Sequence, residues 1–165
     1  MKRVLLIFVV LFVGLASGCA GGGGSDSNHF AQEAAHGGLA EVKLGTLAAE
    51  RAANPAVRQF GQQMIVDHSK ANAELQQLAA RKGLQLPNAP KAEQQAEYDK
   101  LAKLSGADFD REYVNFMTDD HQEDVEAFQA QAQAGGDADI KAFAAKTLPV
   151  IQHHLQMIKE IKTKM

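Results

Sequence analysis

Residues 57–82 read VRQFGQQMIVDHSKANAELQQLAARK. Val57, Gly61, Met64, His68, Ala71, Leu75 and Leu78 recur at alternating steps of four and three. That spacing sets them on one stripe of an α-helix, the seam of a helix packed in a bundle. Every member is small or apolar except His68. A buried imidazole left unpaired costs about 1–3 kcal/mol, so another part of the chain has to meet it.

On either side of this stretch the punctuation is clear. Asn54-Pro55 is a stop and restart, with Asn54 as N-cap and Pro55 in the first helical position. Gly83 is a C-cap. Upstream, a first helix is predicted from about Asn28 to Ala53, with a seam of Phe30, Ala34, Gly37, Glu41, Leu44 and Ala48. Glu41 is its only charged member. Gly37-Gly38 costs a helix about 1 kcal/mol per glycine, which predicts close approach of another helix. His29 and His36 fall on the surface. The short turn makes the first two helices an antiparallel hairpin.

Downstream, residues 84–90 (LQLPNAP) are irregular, Lys91 to Leu104 holds a short polar helix, and Ser105-Gly106 ends it. This connection is far longer than the turns of about 2–8 residues usual in bundles. A third helix runs from about Ala107 to Ala134, with a seam of Val114, Met117, His121, Val125 (or Asp124), Phe128 and Ala132. A fourth runs from its N-cap Asp137 to Lys162, with a seam of Ile140, Phe143, Thr147, Ile151, His154, Ile158 and Ile161. Pro149 inside it predicts a kink or bulge, and His153 lies off the seam. Val57-Arg58-Gln59-Phe60 aligns with Ile140-Lys141-Ala142-Phe143, and the same offset puts Glu41 on Asp124. The chain is therefore expected to be all-α: a ferritin-like four-helix bundle of two antiparallel helical hairpins, joined by a long crossover that contains a short helix.

Counting residues from each turn puts Glu41 and His68 level, His121 near the same height and His154 a turn further out. A bulge at Pro149 would absorb part of that offset. Each long helix thus turns one polar group inward: Glu41, His68, His121 and His154. Three imidazoles and a carboxylate suit one divalent ion such as Zn, Fe, Mn or Cu. Asp67, Tyr113, Asp120 and Asp124 stand close by to orient the ligands. The competing reading is a metal-free hydrogen-bond network, with Glu41 bonded to His68 and one histidine to another.

The first nineteen residues belong to a different category. Lys2 and Arg3 precede an apolar run from Val4 to Val13, too short to span a bilayer, and then Ala16, Ser17 and Gly18. That is an export signal. Leu15-Ala16-Ser17-Gly18-Cys19 resembles a bacterial lipoprotein box, displaced in that Ala16 stands where Leu is usual. The one Cys of the chain sits where the box requires it. The expected division is a lipoprotein signal over 1–19 ending at a lipidated Cys19, a flexible Gly/Ser tether over 20–27, and the bundle over 28–165. Ala20 after the Cys favours the outer membrane. The protein is then a lipid-anchored envelope protein on the periplasmic face, whose membrane partner is the lipid itself. Without Lys2 and Arg3, 15 of the 17 basic residues remain against 20 acidic ones, a net charge of −5. No basic patch interleaves with aromatics, so no nucleic-acid partner is expected.

Gly37-Gly38-Leu39-Ala40-Glu41-Val42, Met64-Ile65-Val66-Asp67-His68, Phe109-Asp110-x-x-Tyr113, His121, and Phe143-Ala144 with Leu148-Pro149 and His154-Leu155 occur in that order. They resemble the pattern of a bacterial exported family, the ferritin-like domain-of-unknown-function family 4142. The resemblance covers most of residues 28–162. It implies a four-helix fold and no established activity. Di-iron ferritins carry Glu-x-x-His, whereas Ile65 and Ile151 stand three before His68 and His154, which disfavours ferroxidase or oxygenase chemistry. Two functions remain: a metal-binding envelope protein, or a metal-free envelope scaffold or interaction protein linked to stress.

Overall fold

The structure, a computed structural model, describes residues 22–165. The expected signal segment and Cys19 lie outside the described residues. Five helices follow one another: α1 (Gly22–Arg51), α2 (Pro55–Lys82), α3 (Ala92–Leu101), α4 (Gly106–Ala134) and α5 (Ala138–Thr163). α1 pairs along its length with α2, and α4 with α5. The two hairpins meet through α2 against α5 and α1 against α4. This is the expected bundle, with α3 in the crossover.

The predicted caps form. Asn54 accepts a hydrogen bond from the Ala56 N–H at 2.9 Å, and Gly83 takes a left-handed conformation (φ 67°) that only glycine adopts freely. Asp137 accepts from Asp139 and Ile140. The crossover is fastened to the outer face of α1 by the Lys91–Glu33 ion pair, by His36 Nδ1 donating to the Ala89 carbonyl at 2.7 Å, and by Arg51 donating to the Ala102 carbonyl at 2.6 Å. His29 and His153 are exposed, while His36 is half-buried in this crossover seam.

Three expectations change. α1 begins at Gly22, not Asn28, so Gly22–Ser27 are helix rather than tether. The physical reason is Ser27: it is fully buried, and its hydroxyl accepts from Gln131 Nε2 and from the Asp137 backbone N–H, each at 3.1 Å. Two polar anchors offset the helix cost of the glycines ahead of it. Second, α5 continues as α-helix through Pro149, with no π-bulge. Third, the close approach expected at Gly37-Gly38 is met at Gly38 alone, against an α2 side chain, and the α1 and α2 backbones themselves come together at Gly45 and Gly61. A Cβ on Gly61 would stand 2.7 Å from the Gly45 carbonyl oxygen, and one on Gly45 would stand 2.8 Å from that of Gly61. Gly38 faces the Asn72 side chain, and a Cβ on Gly37 meets nothing within 4 Å.

The apolar interior falls into two layers. One holds Leu44, Phe60, Met64, Phe109, Tyr113, Met117 and Ile158; the other holds Ala31, Leu75, Leu78, Phe128, Ile140, Phe143 and Ile151. The buried polar residues Glu41, His68, His121 and His154 lie on the same helices, between these two sets. None of the described helices is long and apolar enough to cross a membrane.

These contacts set opposite expectations for two glycines of one helix. Gly45→Ala should cost about 1–3 kcal/mol by forcing α1 and α2 apart. Gly37→Ala should be neutral or stabilise by up to about 1 kcal/mol through helix propensity. Urea denaturation of the two variants reads the difference.

Candidate metal centre

Each long helix delivers its polar residue because the seam around it is apolar and must face inward. Glu41, His68, His121 and His154 are all buried, His121 and His154 completely. Glu41 Oε2 lies 2.7 Å from His68 Nδ1. His68 Nε2 lies 3.3 Å from His154 Nδ1. His154 Nε2 lies 2.8 Å from Asp67 Oδ2, which also accepts from Gln63 Nε2 at 2.7 Å. The four groups thus lie close together, and Asp67, placed beside them by the sequence, meets His154. His154 reaches the others without a bulge at Pro149.

The set does not form a single ring of four. His68, His121 and His154 bring one nitrogen each within 4.8 Å of one another; Glu41 instead groups within that distance with Asp120, His121 and Asp124. Glu41 therefore backs His68 through Oε2 and turns Oε1 elsewhere. Tyr113, expected to orient a histidine, hydrogen-bonds to none: its ring stacks on Phe109 at 5.6 Å and its buried hydroxyl has no partner. Phe60 closes the site, edge-on to His121 and His154 at 6.1 Å each.

Burial controls the charges. It pushes Glu41 up to about 7, against a smaller opposing effect of the Asp124 carboxyl beside it. It depresses His68 and His154 to about 4 each, although the carboxylates near them pull the other way. His121 is held well below the usual histidine range by burial and by the other two imidazoles. Asp120 and Asp124 are held well above the usual carboxylate range by burial and then by the charge of Glu41. Burial also raises Asp67, but its bonds to Gln63 and His154 outweigh this and lower it. Burial raises Tyr113, and so do the charges of Glu41 and Asp120.

Near neutral pH the imidazoles are therefore neutral, each with one N–H and one lone pair. The anionic Asp67 takes the N–H of His154 Nε2, so His154 Nδ1 points a lone pair at His68. What His68 presents depends on Glu41. A protonated Glu41 donates to His68 Nδ1, and His68 Nε2–H donates to His154, which closes a hydrogen-bonded chain. An ionised Glu41 takes the His68 Nδ1–H instead, and then two lone pairs face each other at 3.3 Å. Ligands about 2.0–2.1 Å from a tetrahedral metal stand about 3.3–3.4 Å apart. The second arrangement has the geometry that a pair of metal ligands needs, each nitrogen oriented by a carboxylate.

His121 gains from neither arrangement. Neither ring nitrogen meets a partner at hydrogen-bond geometry, although the Met117 backbone one turn back is near enough to pull His121 up against the larger effect of burial. Its Nε2 stands 3.6 Å from Glu41 Oε1 and its Nδ1 3.6 Å from Asp120 Oδ2, too far for hydrogen bonds. Asp124, three residues on, falls on the same face of α4. The repeat that matched it to Glu41 was the sequence signal for its place here.

Among known proteins, residues 16–161 match the family described as "Domain of unknown function (DUF4142)". No curated protein matches the chain. A DUF305 fragment from Deinococcus radiodurans superimposes with a TM-score of 0.74 at 14% identity, over 85% of this chain and 97% of its own. A DUF305 protein from Streptomyces coelicolor does so with a TM-score of 0.72, also at 14% identity, over 84% of this chain and 91% of its own. At that identity the likeness establishes a shared fold.

The raised Glu41 gives a pH signature. Its proton is bound more tightly in the folded state (about 7) than at the ordinary glutamate value of 4.5. It therefore stabilises fully below about 4.5, and this contribution is lost as pH rises through 7. Glu41→Gln keeps the donor and removes the titration. In metal-free buffer, the stability of the parent relative to Glu41→Gln should fall by on the order of a few kcal/mol between these limits, at about 1.4 kcal/mol per pKa unit. His68 and His154 act oppositely as pH falls from 6.5 towards 4 in both proteins, so they cancel in the difference.

Proposed function

We propose that this chain, which belongs to the DUF4142 family, binds one divalent ion of the Zn, Fe, Mn or Cu group through His68, His121 and His154. Glu41 and Asp67 serve as the carboxylates that fix the tautomers of His68 and His154. The observation that carries this reading is His121: fully buried, with two ring nitrogens and no hydrogen-bond partner for either. A metal-free network accounts for His68 and His154 but leaves His121 with a cost of about 1–3 kcal/mol. A cation accepting its lone pair removes that cost. When bound, the ion supplies a fixed positive charge and adds its binding free energy to folding. The three nitrogens and Phe60 exclude bulk water from it, and the carboxylates behind them raise ligand basicity.

A second reading has its own support. The 2.7, 3.3 and 2.8 Å contacts from Glu41 through His68 and His154 to Asp67 also make a complete chain when Glu41 is protonated. In that case the bundle is a metal-free scaffold or interaction protein.

The same proposal extends to location. A signal over 1–19 and a lipidated Cys19 put the bundle on the periplasmic face of the envelope, with the outer membrane favoured. The description of the Streptomyces coelicolor neighbour includes the word "secreted". Cys19→Ser should abolish labelling by radioactive palmitate and release the protein from the membrane fraction; labelling that survives this change removes the anchor.

Metal-stripped protein titrated with Zn²⁺ or Co²⁺ tests the site itself. We expect one equivalent bound and, at a hundredfold excess over Kd, about 2.7 kcal/mol of added stability. His121→Leu should raise the melting temperature of the metal-free protein, because it removes an unpaired polar group, and abolish the metal response. If Zn²⁺, Mn²⁺, Fe²⁺ and Cu²⁺ all leave the melting temperature of the parent unchanged, the scaffold reading replaces this one.

A further inference from the structure

The carboxylates beyond the three histidines make a second constellation. Glu41, Asp120, His121 and Asp124 each place one ligand atom within 4.8 Å of the others. The residues come from α1 and from a single face of α4, where His121-x-x-Asp124 reverses the order of a Glu-x-x-His pair. Glu41 Oε2 is committed to His68, which leaves Oε1 without a partner. Asp120 Oδ2 and both His121 nitrogens are likewise without partners, although Glu41 is 4% exposed and His121 0%. A protonated Glu41 or Asp124 can donate to the other, but that leaves Asp120 Oδ2 and the His121 nitrogens unmatched, and once ionised the three carboxylates at this spacing repel. A cation answers both problems.

We infer that Glu41, Asp120 and Asp124, beside His121, form a second cation seat, oxygen-rich where the first is nitrogen-rich. The inference rests on the proposed three-histidine site, which it extends. Three carboxylates select a harder ion than three imidazoles do; with the one lone pair of His121 given to the first seat, Mn²⁺ fits the second and Zn²⁺ the first. Glu41 links the two, with Oε2 orienting His68 and Oε1 entering the second seat. His121 borders both, so the two ions communicate through one ring and one carboxylate. Asp120 is partly exposed, at 23% of its side chain, which gives the second seat a way to solvent that the histidines lack.

Protein loaded with Zn²⁺ is titrated with Mn²⁺, following the loss of the free Mn²⁺ electron paramagnetic signal and the Zn²⁺ retained after desalting. The parent should bind one Mn²⁺ per chain while keeping its Zn²⁺. Asp124→Asn should keep Zn²⁺ and its thermal shift while losing about tenfold or more in Mn²⁺ affinity. Asp120→Asn is the second variant, should Asp124→Asn fail to fold. His154→Ala should lose Zn²⁺ and still bind Mn²⁺. Mn²⁺ that binds only by expelling Zn²⁺, or that binds Asp124→Asn and Asp120→Asn as tightly as the parent, overturns the second seat and leaves the three-histidine site standing. Failure of both ions to bind overturns the three-histidine site as well.

Discussion

A single short contact, Glu41 Oε2 to His68 Nδ1 at 2.7 Å, governs the interior of this bundle. It joins the two helices of the first hairpin, and the position of its proton decides what every other group in the site presents. With the proton on Glu41, donors and acceptors alternate as far as the anionic Asp67, and the core is a closed chain. With Glu41 ionised, its proton gone to solvent and the one proton of neutral His68 on Nδ1, lone pairs converge and the core asks for a cation. Burial raises Glu41 to about 7, so the two states are close in energy near neutrality. The Gly45–Gly61 approach, one turn further along α1, holds the two backbones close where this contact forms.

The internal repeat shows how an asymmetric site came to sit in a nearly symmetric frame. The offset that aligns Val57 with Ile140 also aligns Asn54 with Asp137, the two N-caps, and Glu41 with Asp124. It aligns Ser27 with Asp110. Ser27, on α1, accepts from the backbone at Asp137 in the turn between α4 and α5. Asp110, on α4, accepts from Ala53 and Asn54 in the turn between α1 and α2, at 3.1 and 2.7 Å. The frame is thus reciprocal, and the imidazoles break it. His121 aligns with Gly38, His154 with Ala71, and His68 with Ile151. Gly38 and Ala71 line a cavity of about 20 Å³ beside Glu41, His68 and Asp124. One half of the pseudo-symmetric centre is filled with imidazole, and the other half is space for about one water.

Much of this was legible in the sequence, for identifiable reasons. Seams at steps of three and four, Asn54-Pro55, Gly83 and Asp137 all act locally, so four long helices and their ends could be read directly. The lone polar residue in each seam followed from the same periodicity. What could not be read depends on contacts across the bundle. Gly22–Ser27 looks like linker until Ser27 is seen to hold the far turn. Gly37-Gly38 looks like a close approach, and Gly38 does meet Asn72, yet the backbones themselves touch at Gly45 and Gly61. Asp120 and Asp124 were assigned to orient histidines, but their distance from Glu41 is set by how α4 rolls against α1, which periodicity leaves open by a fraction of a turn. Tyr113 could be placed in the core but not its hydroxyl's direction.

The crossed anchoring of the two turns has a consequence for the chain as a whole. Beside the cap it supplies itself, each hairpin borrows from the other a residue that fastens its bend. A break in the crossover would yield two fragments that remain mates, each incomplete alone and restored by the other. Selection on such a protein acts on the pair: a change that loosens Ser27 is felt at the start of α5, and one at Asp110 is felt where α1 hands over to α2.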